Sequence, residues 1–252
     1  MVAVFRTDTG KIRTLNEDNG GVFWNGNRLL AIVADGMGGH KAGEIASEMA
    51  VTFLKEEWQK TTEDLTPSEA EQWLQQTITA ANEKLYQYSK EKQEYSGMGT
   101  TLVAVICTEM NVTFAHIGDS RIYLLNESGF SLLTEDHSLV NELLKNGQIT
   151  KEEAVHHPRK HILLRALGTE PSVTIDIRSL DWEEEDSLLL CSDGLSNKVD
   201  DEQLEALMRT SQPLDEQADQ LISMANEAGG EDNITLVLIK HAFHKKVNND
   251  DK

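Results

Sequence analysis

A chain of 252 residues that is 39% apolar and 26% charged can bury a core, and that composition excludes a disordered segment. Forty-three acidic side chains against 23 Lys and Arg give a formal net charge of −20, a sign that repels nucleic-acid backbones and argues against them as partners. No run nears the ~18 apolar residues that cross a bilayer, no charged and apolar leader opens the chain, and Cys107 and Cys191 sit inside apolar runs rather than in a disulfide pattern, so a cytoplasmic location is expected.

In chain order, short apolar or alternating runs predict strands over 2–7, 21–24 and 28–34. Helical periodicity follows over 43–59 and 67–90. Strands are expected again over 100–107, 112–117 and 121–125. Between Asp136 and Gly168 the strand pattern stops, and SLVNELLKNG and TKEEAVHH predict two short helices joined at Gly147-Gln148. An excursion of that length between core elements is expected to act as a flap. Strands over 173–178 and 187–191, helices over 201–210 and 214–228, a strand over 234–240 and a polar tail over 241–252 complete the chain. Short strands with two helix pairs make an α+β fold, an α-β-β-α sandwich of two antiparallel sheets flanked by the helix pairs, with the loops gathered at one end. One domain over 1–240 is expected, with 136–168 as a small flap subdomain within it.

Four times an apolar run meets glycine and an acidic residue: Asp35-Gly36 after LLAIVA, Gly118-Asp119 after VTFAHI, Asp193-Gly194 after LLLCS, and Gly230-Glu231-Asp232 before ITLVLI. A single Asp-Gly is usually only a turn. Carboxylates at several strand ends can instead converge on one pocket, as the hard oxygen ligands of Mg2+ or Mn2+ must.

The segments RTLNED (13–18), VADGMGG (33–39), GMGTT (97–101), GDSR (118–121), SDG (192–194) and GGEDN (229–233) resemble, in order, the signature motifs of the metal-dependent type-2C (PPM family) Ser/Thr protein phosphatases. The likeness is nearest to the compact bacterial members that oppose a Ser/Thr protein kinase. It implies that Asp35 bridges two Mn2+ or Mg2+ ions, that the Gly36 carbonyl ligates the second, and that Asp193 and Asp232 complete the first. Glu17 and Asp18 match a pair that orders metal-bound water, and Asp119 matches a residue that holds a third ion together with Asp193. Arg13 would grip phosphate oxygens through its planar fork. A water shared between two ions would lose its proton near neutral pH and attack phosphorus, so phosphoserine and phosphothreonine would be hydrolysed in a single step without a phosphoenzyme. Phosphoproteins and a Ser/Thr kinase are the partners implied, and a monomer is expected. Where many relatives carry His after the Asp-Gly, this chain has Met37, and His40 is the nearest imidazole. His40 or a metal-bound water would protonate the leaving alcohol, and the sequence leaves the two open. His116 reads as a sheet residue, and His156 and His157 have no ligand spacing.

Other chemistries lack their residues. A cysteine-nucleophile phosphatase needs Arg six places after the Cys, where Thr113 and Asn197 stand, and Gly38-Gly39-His40-Lys41 is not a P-loop. A binding module that had lost catalysis would be expected to lack a metal carboxylate, and Asp35, Asp119, Asp193 and Asp232 are all present.

Overall fold

The computed structural model describes residues 1–38, 41–62, 65–91 and 93–242. Most of the expected tail, residues 243–252, and the candidate acid His40 lie outside the described residues. Strands β1 (Val2–Asp8), β2 (Asp18–Asn25) and β3 (Arg28–Met37) lead to helices α1 (Ala42–Gln59) and α2 (Pro67–Glu91). Next come β4 (Gly99–Thr100), β5 (Leu102–Cys107), β6 (Asn111–Ile117), β7 (Arg121–Asn126) and β8 (Gly129–Leu132). After the short helices α3 (Leu139–Lys145) and α4 (Lys151–Val155) follow β9 (Asp176–Asp181), β10 (Ser187–Cys191), α5 (Asp193–Ser196), α6 (Asp201–Met208), α7 (Leu214–Glu227) and β11 (Ile234–Lys240).

The apolar runs are continuous because both faces of each central strand are covered. In β3, Leu30, Ile32 and Ala34 join a core with α1 and α2, while Leu29, Ala31 and Val33 point the other way into a core shared with the second sheet. In β10, Leu189 and Cys191 meet α6 and α7, and Leu188 and Leu190 meet the first sheet. Three apolar layers thus separate four structural layers, the expected α-β-β-α sandwich. One sheet runs β1-β11-β10-β7-β8 and the other β2-β3-β5-β6-β9, with β4 paired to β3, and the pairings are antiparallel.

Register gathers the functional loops at one end. Asp8 pairs with Ile234 and Cys191 with Arg121 in one sheet, while Asp18 pairs with Asp35 and Leu102 with Ile117 in the other. The predicted boundaries shift where pairing overrides pattern. The expected strand over 173–178 forms at Asp176–Asp181, where its partner is β6. The run over 100–107 breaks at Thr101, and β8 is an unpredicted hairpin strand with β7. The 136–168 excursion leaves and returns side by side: Leu139 N–H donates to Ile162 O, and Leu164 N–H to His137 O, both at 2.8 Å.

Candidate metal centre and active site

The end of β3 presents Asp35 beside Asp18 of β2, its cross-strand partner. The Asp35 amide donates to Thr101 Oγ1 (2.9 Å), and Thr100 Oγ1 donates to the Asp35 carbonyl (2.9 Å). Thr101 Oγ1 also lies 2.8 Å from Ser120 Oγ, so one hydroxyl joins the Asp35 turn to the Asp119 turn. At Gly36 a Cβ would collide with the Gly43 carbonyl and stand 2.5 Å from the Glu17 carbonyl. Glycine there lets the three backbone segments meet.

Asp18 is buried, and Ser192 Oγ donates to its Oδ2 at 2.7 Å. Glu17 Oε1 is also buried and has no hydrogen-bond partner among the described residues. Asp193 opens α5, where Asn197 Nδ2 donates to its Oδ2 at 3.0 Å. A Cβ at Gly194 would strike the Asn233 carbonyl, so the Asp193 turn rests on the loop that carries Asp232. Arg13 lies at the rim, 47% exposed, with Nη2 2.9 Å from Asp232 Oδ2 and Nε 3.4 Å from the Glu231 carbonyl. In this arrangement its fork lies on a carboxylate.

These acids raise one another's pKa. Burial, then the Ser192 and Thr235 hydroxyls acting in the opposite sense, then the charges of Asp193 and Asp232, leave Asp18 pushed up to about 7. Burial followed by the charges of Asp193 and Asp136 pushes Asp119 up to about 7. Asp35 is raised well above 3.8 by burial and by Asp18, Asp193, Asp119 and Asp232 in turn, and Asp193 is raised by burial and then Asp232. Burial also raises Glu17. Arg13, paired with Asp232, and Arg121, paired with Asp136, do not offset the repulsion, since Asp18, Asp35, Asp119 and Asp193 all stay raised. An all-oxygen donor set with an orphaned carboxylate oxygen fits hard divalent cations.

Among the described residues the one group of three or more His, Cys, Asp or Glu side chains whose ligand atoms all lie within 4.8 Å of one another is not this acidic cluster but His116, His137 and Asp176. Arg165 Nη1 stands 3.1 Å from both His137 Nε2 and Asp176 Oδ1, so a guanidinium already supplies the cation there. His116 is buried in β6, as expected of a sheet residue. A cavity of about 350 Å³ beside the acidic cluster is lined by Asp119, Asp193, Leu144, Lys160 and His161 among others. The 136–168 segment therefore borders the site.

A sequence model of the Protein phosphatase 2C family matches residues 11–238. The chain belongs to the protein phosphatase 2C family. It is 52% identical over 247 residues to "Serine/threonine phosphatase stp" of Listeria monocytogenes serotype 4b (strain F2365), spanning 98% of each chain. Among solved structures it is similar to serine/threonine phosphatase Stp1 from Staphylococcus aureus, with TM-score 0.90 and 40% identity over 94% of each chain. It is likewise similar to the Mycobacterium tuberculosis serine/threonine phosphatase PstP/Ppp, with TM-score 0.86 and 34% identity over 96% and 99% of the two chains. Membership of protein phosphatase 2C bears out the resemblance read from the motifs, the fold, and the family's reaction, metal-dependent hydrolysis of phosphoserine and phosphothreonine.

One residue at this candidate site has a role that the sequence alone does not assign. Asn233 Nδ2 donates to Thr9 O (2.9 Å) and Leu15 O (3.0 Å), and its Oδ1 accepts from Glu17 N–H (2.8 Å). It pins the loop carrying Arg13 and Glu17 to the Asp232 turn. Its signal was its place directly after Asp232 in GGEDN.

Proposed function

We propose that this chain is a phosphoprotein phosphatase whose strand-end carboxylates hold two Mn2+ or Mg2+ ions, with a third held more weakly. The observation that carries the reading is that Asp18, which is buried, and the half-buried Asp35, Asp119 and Asp193 gather at one end of the sheets, close enough to raise one another's pKa values. Asp35, Asp193, Asp232 and the Gly36 carbonyl would hold the main pair, and Asp119 with Asp193 the accessory ion. When bound, the ions would act as Lewis acids, lowering the pKa of water and neutralising phosphoryl charge.

The chain's own groups do the positioning. Asp18, braced by Ser192, and Glu17 would accept protons of ordered water. Arg13 would turn its fork from Asp232 to a phosphate oxygen, since it is exposed enough to swing. His40 or water would return a proton to the departing Ser or Thr oxygen. Hydrolysis would take one step: burial pushes the Cys191 thiol up to about 12 and the Cys107 thiol higher, so neither supplies a thiolate nucleophile. The flap, residues 136–168 of a catalytic domain spanning 1–240, would contact the protein around the phosphorylated residue through Lys160 and His161 at the bordering cavity. We further propose a cytoplasmic monomer that opposes a Ser/Thr kinase. No helix among the described residues is long and apolar enough to cross a membrane.

The deciding assay follows release of phosphate from a phosphothreonine peptide by metal-stripped protein, with EDTA, Mg2+ or Mn2+ added. Turnover should need the divalent ion, and equal turnover in EDTA would refute the reading.

A further inference from the structure

His137 pairs with both backbone polar groups of Gly118, the residue before Asp119. Its backbone N–H donates to Gly118 O at 2.8 Å, and the Gly118 N–H donates to its Nδ1 at 3.1 Å. Gly118 has φ +102°, and a Cβ there would lie 2.6 Å from Thr101 Cγ2, so the turn has no slack on its other side. The ring is itself fixed. It is 8% exposed and stacks on His116 at 4.3 Å between centroids, while His116 Nε2 lies 2.7 Å from Glu135 O.

The Gly118 N–H fixes the tautomer: with Nδ1 accepting, Nε2 carries the hydrogen and faces Asp176 Oδ2 at 3.3 Å, and Arg165 Nη1, also 3.1 Å from Nε2, turns its hydrogen to Asp176 Oδ1. The other tautomer would set two N–H groups against each other at Gly118. Burial lowers the His137 pKa and keeps the ring neutral. The His137 carbonyl in turn accepts from Leu164 N–H, so one residue ties the base of the 136–168 segment to the Asp119 turn.

We infer that His137, oriented by Asp176 and Arg165, is a positioning residue that aims the Asp119 carboxylate at the accessory ion. The inference rests on the proposed role of Asp119 as a ligand of that ion.

Calorimetric titration of the metal-stripped full chain with Mn2+ tests it, because tight and weak binding classes separate. His137→Ala should weaken the weak class about tenfold, the worth of roughly one buried hydrogen bond, leave the tight class unchanged and speed hydrogen exchange at the Gly118 amide. His137→Asn, whose side-chain oxygen can replace Nδ1, should restore both. His137→Gln, whose amide reaches toward Asp176 instead, should restore neither. If the Ala variant fails to fold, the Asn and Gln pair decides. Asp119→Ala separates the two readings. A weak class lost in Asp119→Ala but intact in His137→Ala and His137→Gln overturns the positioning role alone, as does equal damage in the Asn and Gln variants. A weak class that survives Asp119→Ala overturns the accessory site and this inference with it.

Discussion

Asp35 is surrounded by four other carboxylates whose charges all act on it, so its value to the protein is chemical rather than structural. Asp35→Asn keeps the shape and the main-chain bonds to Thr100 and Thr101 while removing the charge of the proposed bridging ligand. It should abolish Mn2+-dependent turnover on a phosphothreonine peptide yet melt, metal-free at pH 8, no lower than wild type, because like-charge repulsion is relieved. Retained turnover would remove Asp35 from the site, and a markedly lower melting temperature would make it a folding residue. Arg13 poses a different question, since its fork lies on Asp232 and the Glu231 carbonyl. Arg13→Lys keeps one charge near Asp232 but loses two-point contact with a tetrahedral anion. KM for a small aryl phosphate should rise several-fold while kcat changes less, and steady-state kinetics showing an unchanged KM would leave Arg13 a rim ion pair.

At the scale of elements, the 136–168 segment is clasped at its base by bonds between residues 137–139 and 162–164, so its helices α3 and α4 can differ in sequence without disturbing the sheets. Lys160 and His161 line the cavity that Asp119 and Asp193 also border. Arg159→Ala with Lys160→Ala should therefore lower kcat/KM for a phosphoprotein by severalfold or more and leave an aryl phosphate nearly unaffected; equal effects on the two substrates would refute a substrate-contacting flap. Much of this architecture was legible in the chain, for physical reasons. Buried strands read as apolar runs, and the candidate ligands Asp35, Asp119 and Asp193 each follow one beside a glycine, which close backbone contact demands at Gly36 and Gly194. What was illegible depends on partners far along the chain. The strand at Asp176–Asp181 takes its register from β6, and β8 exists because β7 offers it an edge. Asn233 reaches backbone more than two hundred residues away, and His137 meets Gly118 across a hairpin. No local periodicity encodes such side-chain-to-backbone bonds. The position of Arg13 against Asp232 was hidden for the same reason.

For the whole molecule, three apolar layers hold together an acidic cluster around buried Asp18 in a chain of net charge −20, so folding and the proposed metal binding should be linked through protons. Asp18 has an ordinary pKa of 3.8 and a folded value of about 7. Between those two pH values the unfolded chain has released its proton while the native site retains it, so the unfolded state binds fewer protons and stability falls as pH rises. Below about 4 the group costs nothing, and above about 7 the full cost is present. Buried His116 and His137, whose pKa values are lowered, act in the opposite direction up to their ordinary 6.5, which masks the trend in wild type alone. A difference between two proteins cancels them. Metal-free Asp18→Asn and wild type should have similar stability to urea near pH 4. The variant should then gain progressively, up to a few kcal/mol, by pH 8. Divalent ions held by the native cluster, as proposed, would stabilise it by mass action, so saturating Mn2+ at pH 8 should shrink that gap or reverse it. A gap that stays constant from pH 4 to 8 in chelator would show that Asp18 ionises at its ordinary value, and the native site would then not be the charge-strained receptor from which its affinity for cations is argued.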